Sequence, residues 1–183
     1  MTTPRRLPSL SLLIAAAAVT AATLAAGPEA KRATATVAPA ASAATRPANT
    51  HVTGLVTFTQ VGDELSFVAD VDGLEPNTTH GFHIHEKGDL SDPALAKAGG
   101  HYNPTHEPHG GPHSAHHHAG DLGNLTADGQ GHAHLMGTVP GVKLDDIVGR
   151  SVIIHAKADD LKTQPSGDSG GRVAGGKIVA AGE

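Results

Sequence analysis

The sequence predicts an all-β domain, a sandwich or barrel with two long loops gathered at one side. Three observations predict it. Short runs rich in Val, Ile, Leu, Phe and Thr alternate apolar with polar residues at a period of two. Clusters of Gly, Pro, Asn and Asp separate these runs. No stretch carries the i, i+3, i+4 spacing of an amphipathic helix.

The first segment reads as an export signal rather than as part of the fold. Arg5 and Arg6 precede an Ala/Leu-rich run from Leu10 to Ala26, and small residues follow at Ala25, Ala26 and Gly27. The expectation is a signal peptide over residues 1–26, removed on export to the periplasm or the extracellular space. An uncleaved anchor is the alternative, although the run falls short of the roughly 20 apolar residues a span requires. Residues 27–50 are rich in Ala, Pro and Thr, with a candidate first strand at 33–37. Residues 51–183 form the expected β domain, beginning near 31 if that strand joins it.

Within the domain, His51–Gln60 and Glu64–Val71 are period-two runs split by Val61-Gly62-Asp63, the pattern of a hairpin. Gly73–Asn77 reads as a turn and Thr79–Glu86 as a third strand. From Lys87 to Gly123, Gly, Pro and His dominate, so this segment is expected to be a long ordered loop. Loops of that length in a compact domain are usually functional. His132–Met136 reads as another strand, Gly149–His155 as a buried one, Lys157–Gly171 as a second polar loop and Arg172–Ala181 as a last short strand.

Composition excludes several classes. The formal charge of −5 becomes about −7 once Arg5 and Arg6 leave with the signal. No basic stripe is left to meet phosphates, so nucleic acid is not an expected partner, nor is a membrane after signal cleavage. The chain has no cysteine, which rules out both a disulfide framework and a lipoprotein acylated on cysteine. With one Tyr, three Phe and no Trp, the core must be built from aliphatic residues.

Ten of the fourteen histidines fall between His80 and Asp121. Imidazole is the commonest ligand for zinc and copper, so a metal site with more than one ion is expected. His83 and His85 stand two apart on a strand, so their rings share a face and can reach one ion. Read alone, such a pair is more often two half-exposed strand histidines. His101, His109, His118 and Asp121 supply the four N/O donors that suit tetrahedral zinc, against the alternative of a loose His-rich loop. His155, at the end of the apolar strand, is by itself a core histidine unless it points at the His83/His85 face.

Together, HGFHIHEKGD, GGHYNPTHEPHGGPHSAHHHAGDLGNLTADGQG and GRSVIIHAKADDLKTQPSGDSGGR resemble the copper–zinc superoxide dismutase family. The resemblance runs in order from about Lys31 to Glu183 and implies a Greek-key β-sandwich, or flattened barrel, of about eight antiparallel strands. Carried over residue by residue, it implies copper on His83, His85, His101 and His155. It implies Zn2+ on His101, His109, His118 and Asp121, with His101 bridging the two ions. Asp159 matches an outer carboxylate linking His83 to His109, and Arg172 an arginine beside the copper. His80 matches a structural histidine. His106, His113, His116 and His117 match no ligand position and are read as solvated loop residues; the alternative is that His113, His116 and His117 capture metal for the site.

The activity implied is an oxidoreductase reaction in which a Cu2+/Cu+ couple oxidises one superoxide anion to dioxygen and reduces another to hydrogen peroxide, serving antioxidant defence. Because the chain is acidic overall, a local positive channel is expected, of the kind by which these enzymes steer their anionic substrate. Arg172, Lys157 and Lys162 are its candidates. The resemblance allows a monomer or a homodimer. It also shows a departure: the family's intrasubunit disulfide positions fall on Leu95 and Gly175. The competing reading is a catalytically idle copper/zinc-binding or storage protein on the same fold.

Overall fold

The computed structural model describes residues 29–42 and 51–182. The signal expected over 1–26, and residues 27–28 and 43–50 of the following segment, lie outside the described residues. The strands are β1 (Lys31–Pro39), β2 (Thr53–Val61), β3 (Glu64–Asp72), β4 (Thr79–His85), β5 (Asp121–Thr126), β6 (Ala133–Thr138), β7 (Ser151–His155), β8 (Arg172–Lys177) and β9 (Val179–Ala180). One helical turn, α1 (Leu144–Ile147), lies between β6 and β7.

Eight strands pair in the order β5-β4-β7-β8-β1-β2-β3-β6, all antiparallel, and the short β9 pairs with β1. The result is a nearly closed barrel. β1 joins its two halves, pairing with β2 through Lys31–Val37 and then with β8 at Ala38 and Pro39. No helix among the described residues is long and apolar enough to cross a membrane.

Alternation dictates the interior. Ala33, Ala35 and Val37 of β1, Val56 and Phe58 of β2, and Leu65, Phe67, Ala69 and Val71 of β3 face a single core. Phe58, Phe67 and Phe82 meet there as tilted ring pairs at 6.2–6.3 Å. Strands β4 and β7 are buried on both faces. Phe82, Ile84, Val152 and Ile154 point into the barrel. The intervening His83, His85 and His155 therefore point outward, where the two long loops cover them.

The hairpin expected around Val61-Gly62-Asp63 forms, with β2 and β3 in register from Thr53↔Asp72 to Val61↔Glu64. Several elements differ from the sequence expectation. The candidate strand at 33–37 extends to Lys31–Pro39. The first long loop ends earlier than Gly123, because Asp121 opens β5. Gly123 takes φ +94 and a register shift falls at Gly81/His83, so the period-two signal is lost there. The segment Arg172–Ala181 is two strands. At Ile178 the chain stops pairing with β7, exchanging bonds instead with Gly149 and Arg150, and β9 crosses to β1. Helix α1 is a single turn, too short to leave a periodic trace, and is anchored by buried Leu144 and Ile147.

The first loop is ordered by main-chain bonds. Tyr102 N–H donates to Ile84 O at 2.8 Å, Gly120 N–H to Tyr102 O at 2.8 Å, and Ile84 N–H to Gly120 O at 2.9 Å. His101 also forms an isolated bridge with His85. The loop is thereby stitched directly onto the strand that carries the outward histidines.

Candidate metal centre

Beneath the two loops the structure gathers two groups of four potential ligands, His83, His85, His101 and His155, and His101, His109, His118 and Asp121. All seven residues are buried, and within each group the ligand atoms lie within 4.8 Å of one another. His101 belongs to both. Every ligand expected from the sequence is therefore brought to one place. His83 and His85 come from β4 and His155 from the end of β7. His101 comes from the bridge, Asp121 from the start of β5, and His109 and His118 from the loop between.

The outer hydrogen bonds settle which nitrogen faces inward. His83 Nε2–H donates to Asp159 Oδ2 at 2.8 Å, His85 Nδ1–H to Gly99 O at 3.0 Å and His155 Nδ1–H to Gly170 O at 3.1 Å. Carboxylates and carbonyls only accept, so each opposite nitrogen carries a lone pair. Those inward atoms are His83 Nδ1, His85 Nε2 and His155 Nε2, the last two 3.3 Å apart. His83 Nδ1, His101 Nε2 and His109 Nδ1 are buried without a hydrogen-bond partner. An orphaned buried imidazole nitrogen is costly; His83 Nδ1 and His101 Nε2 in the first group and His109 Nδ1 in the second fit metal ions.

The second group closes on the Asp121 carboxylate. Its oxygens lie 2.8 Å from His101 Nδ1, 3.0 Å from His109 Nδ1 and 3.3 Å from His118 Nδ1. The His109 contact has the distance of a hydrogen bond but not its geometry. Main-chain N–H groups of Gly110 and His118 donate to Asp121 Oδ2 and hold the carboxylate in place. Three nitrogens and one oxygen suit tetrahedral zinc, while four imidazoles suit copper.

Protonation follows from burial and contact. Burial holds His155 down at about 3 and His83 at about 4, the Asp159 contact of His83 working against it, and it pushes His85 well below the ordinary value. These three rings are neutral at neutral pH, as metal ligation requires. His109 behaves oppositely. Burial lowers it, but contact with Asp121 and Asp159 more than offsets this and raises it to about 9. Burial acts to raise both carboxyls, yet their histidine contacts keep Asp121 and Asp159 far below the usual carboxylate range.

Asp159 joins the two groups. Its Oδ1 accepts from His109 Nε2 at 3.0 Å while Oδ2 holds His83. Gly167, at φ +66, lies so close that a Cβ there would overlap Asp159 Oδ1, so this turn admits only glycine. His80 Nδ1–H donates to His155 O at 2.7 Å, a structural tie to the strand end.

A cleft opens above the four-histidine group, lined by His85, His101, His155, Arg172, Glu86 and His106 among others. The Arg172 guanidinium donates to Leu95 O and Gly99 O, which turns its charge toward the cleft. Sequence reasoning missed Glu86 and His106 as lining residues. His106 sits at φ 58 between two ligands of the second group and carries no motif that would reveal it. His116 pairs with Glu107 at 2.8 Å and His117 bonds His118 O, both outside the two ligand groups. Lys157, one of the expected channel cations, is paired with Asp168 at 3.5 Å.

Where the resemblance would place a disulfide, Leu95 packs against Gly175. Leu95, Ala40, Ala98 and Ile153 form a small apolar cluster apart from the main core.

Fold and site together define a metalloprotein with a histidine-bridged two-ion centre on an antiparallel β-barrel. The family model "Copper/zinc superoxide dismutase" matches residues 52–178. The chain is 42% identical over 113 residues to "Superoxide dismutase (Cu-Zn)" of Paramecium bursaria Chlorella virus 1, covering 60% of each. It is 41% identical over 141 residues to "Extracellular superoxide dismutase (Cu-Zn)" of Drosophila melanogaster, covering 71% of this chain and 77% of that one. Among solved structures it is similar to the clock protein EA4, with TM-score 0.69 and 36% identity over 81% of this chain and 93% of that one. The chain belongs to the copper/zinc superoxide dismutase family, and it retains a four-histidine copper site and a His/Asp zinc site bridged by His101.

Proposed function

We propose that this chain dismutates superoxide, with copper held by His83, His85, His101 and His155 and zinc by His101, His109, His118 and Asp121. The observation that carries this is the pair of complete four-ligand groups sharing one histidine, under a cleft that holds an arginine. When bound, copper supplies a reversible one-electron couple, turning two superoxide anions and two protons into dioxygen and hydrogen peroxide, and zinc supplies a fixed positive charge.

The chain's own residues do the rest. Arg172, charged at any working pH, draws the anion into the cleft and orients it. Its two carbonyl tethers hold the guanidinium beside His85 and His155. His101 presents Nε2 to the first group and Nδ1 to the second, so Nε2 can take up a proton and pass it to the reduced substrate. The three neutral rings of the first group stay unprotonated through this exchange. Asp159 keeps His83 and His109 in the tautomer whose Nδ1 faces inward.

The export reading belongs with this function. Arg5, Arg6 and the apolar run Leu10–Ala26 support a signal over 1–26 and a working place outside the cytoplasm, periplasmic or extracellular. The fly relative is itself named as extracellular. A cysteine-less chain is suited to such a compartment, since it has no thiol to oxidise.

The test is superoxide dismutation by purified protein loaded with zinc alone, copper alone or both, with metal counts on the same samples. Turnover that requires copper and is greatest with both metals is expected. Two metals bound without turnover overturns the proposal in favour of storage.

A further inference from the structure

We infer that Gln164 is a positioning residue for the zinc site, clamping the main chain of His109 from the opposite loop. This inference rests on the reading of His109 as a zinc ligand.

His109 N–H donates to Gln164 Oε1 at 2.8 Å, and Gln164 Nε2–H donates to His109 O at 2.9 Å. The carboxamide thus engages both main-chain polar groups of one residue, as a neighbouring strand would. Among the described residues no main-chain group bonds His109 N or O.

The other ligands of that group need no such help. Asp121 stands in β5, paired with His83. His101 forms a bridge with His85. His118 is held in a tight turn, accepting from Asp121 N–H at 3.0 Å while its own N–H meets Asp121 Oδ2 at 2.9 Å. His109 alone of the four sits on irregular chain outside any ladder or such turn.

With the clamp, every polar atom of His109 has an assigned place. N and O go to Gln164, Nε2 goes to Asp159, and Nδ1 faces the ligand group. Backbone and ring orientation are both set from the second loop, on which Asp159 and Gln164 stand five residues apart. Asn124 completes the arrangement, because its carboxamide takes Asp159 N and O in the same two-point way. The second loop is anchored beside the strand that starts with a zinc ligand, and in turn it anchors the loop residue that lacks a ladder. In a chain without a disulfide, the Gln164 clamp and the His109–Asp159 bond tie the two loops together.

Removing an outer partner of a metal ligand typically lowers metal affinity about 10–100-fold. The experiment measures zinc release to a chromophoric chelator from protein loaded with both metals, for wild type, Q164A, Q164E and T163A. Q164E keeps the acceptor but loses the donor. T163A removes a neighbouring bond to Asp160 that also orders the second loop but touches nothing on His109. The d–d absorption of protein carrying cobalt in place of zinc is recorded for the same set.

Release about 10–100-fold faster in Q164A is expected, with Q164E intermediate, a shifted cobalt spectrum in both, and T163A within about threefold of wild type. Release from Q164A within threefold of wild type, or T163A matching Q164A, overturns the clamp alone. A wild-type protein that holds no zinc overturns the site reading, and this inference with it.

Discussion

Replacing Asp159 with alanine separates the two metals. The Asp159 carboxylate is fully buried, accepts from His83 at 2.8 Å and His109 at 3.0 Å, and also receives Leu161 N–H at 2.6 Å. The variant removes one outer partner from a ligand in each group, yet the two ligands stand in different mechanical settings. His83 lies within β4 with Asp121 opposite it on one side and Ile153 on the other. Its backbone cannot turn away. His109 has no ladder and keeps only the Gln164 contacts. An outer partner is worth about 10–100-fold in affinity, or about 1.4–2.7 kcal/mol. The full loss is expected at the zinc group, with copper weakened by less than about tenfold. Competition against chromophoric chelators, one metal at a time at neutral pH and fixed ionic strength, measures both constants. Copper weakened as much as zinc, or zinc unmoved, refutes the idea that strand placement protects His83.

Arg172→Ala is expected to retain both metals while kcat/KM falls about tenfold or more, with a flatter dependence on ionic strength; an unchanged kcat/KM removes Arg172 from anion capture. Gly175→Ala places a Cβ 2.8 Å from Ile153 Cδ1, 3.0 Å from Val152 O and 3.2 Å from Leu95 Cδ1. It should lower stability by about 1–3 kcal/mol in urea titrations, and an unshifted midpoint means that the Leu95 cluster yields freely. Chelation should lower the thermal midpoint markedly, because the buried lone pairs lose their partners; equal midpoints with and without metals contradict this. The chelated protein should also respond to pH in a set direction. His83 and His155 have folded values of about 4 and about 3, below the unfolded 6.5, so acidification from 6.5 protonates the unfolded chain first and stability falls. His109, raised to about 9, stabilises below 6.5 and loses that contribution as pH rises toward 9. The midpoint of the chelated protein should thus peak near 6.5, and a midpoint that rises from pH 6.5 to 4.5 runs against this assignment.

What the sequence by itself determined is whatever rests on local pattern. Alternation in Glu64–Val71 and the Gly62 turn specify a hairpin regardless of the rest of the chain. H-x-H on a strand obliges His83 and His85 to share a face, because side chains two apart on a strand point the same way. Through family resemblance the sequence also separated the seven ligands from His106, His113, His116 and His117, which composition alone could not do.

Other features were decided only by tertiary structure, because their partners lie far apart in the chain. His155 is an ordinary apolar-strand histidine until β7 pairs with β4 and places it on the His83/His85 face. Strand β5 carries too weak a pattern to read, since Gly123 and a register shift interrupt its alternation, and it exists because β4 offers an edge. Gln164 looks like any polar loop residue. It acquires a role because Gly81 and Gly167 let the second loop lie close against β4 and Asp159, bringing its carboxamide across 55 residues of sequence to His109. Local pattern sets which way a side chain points, and only the folded chain sets what it meets there.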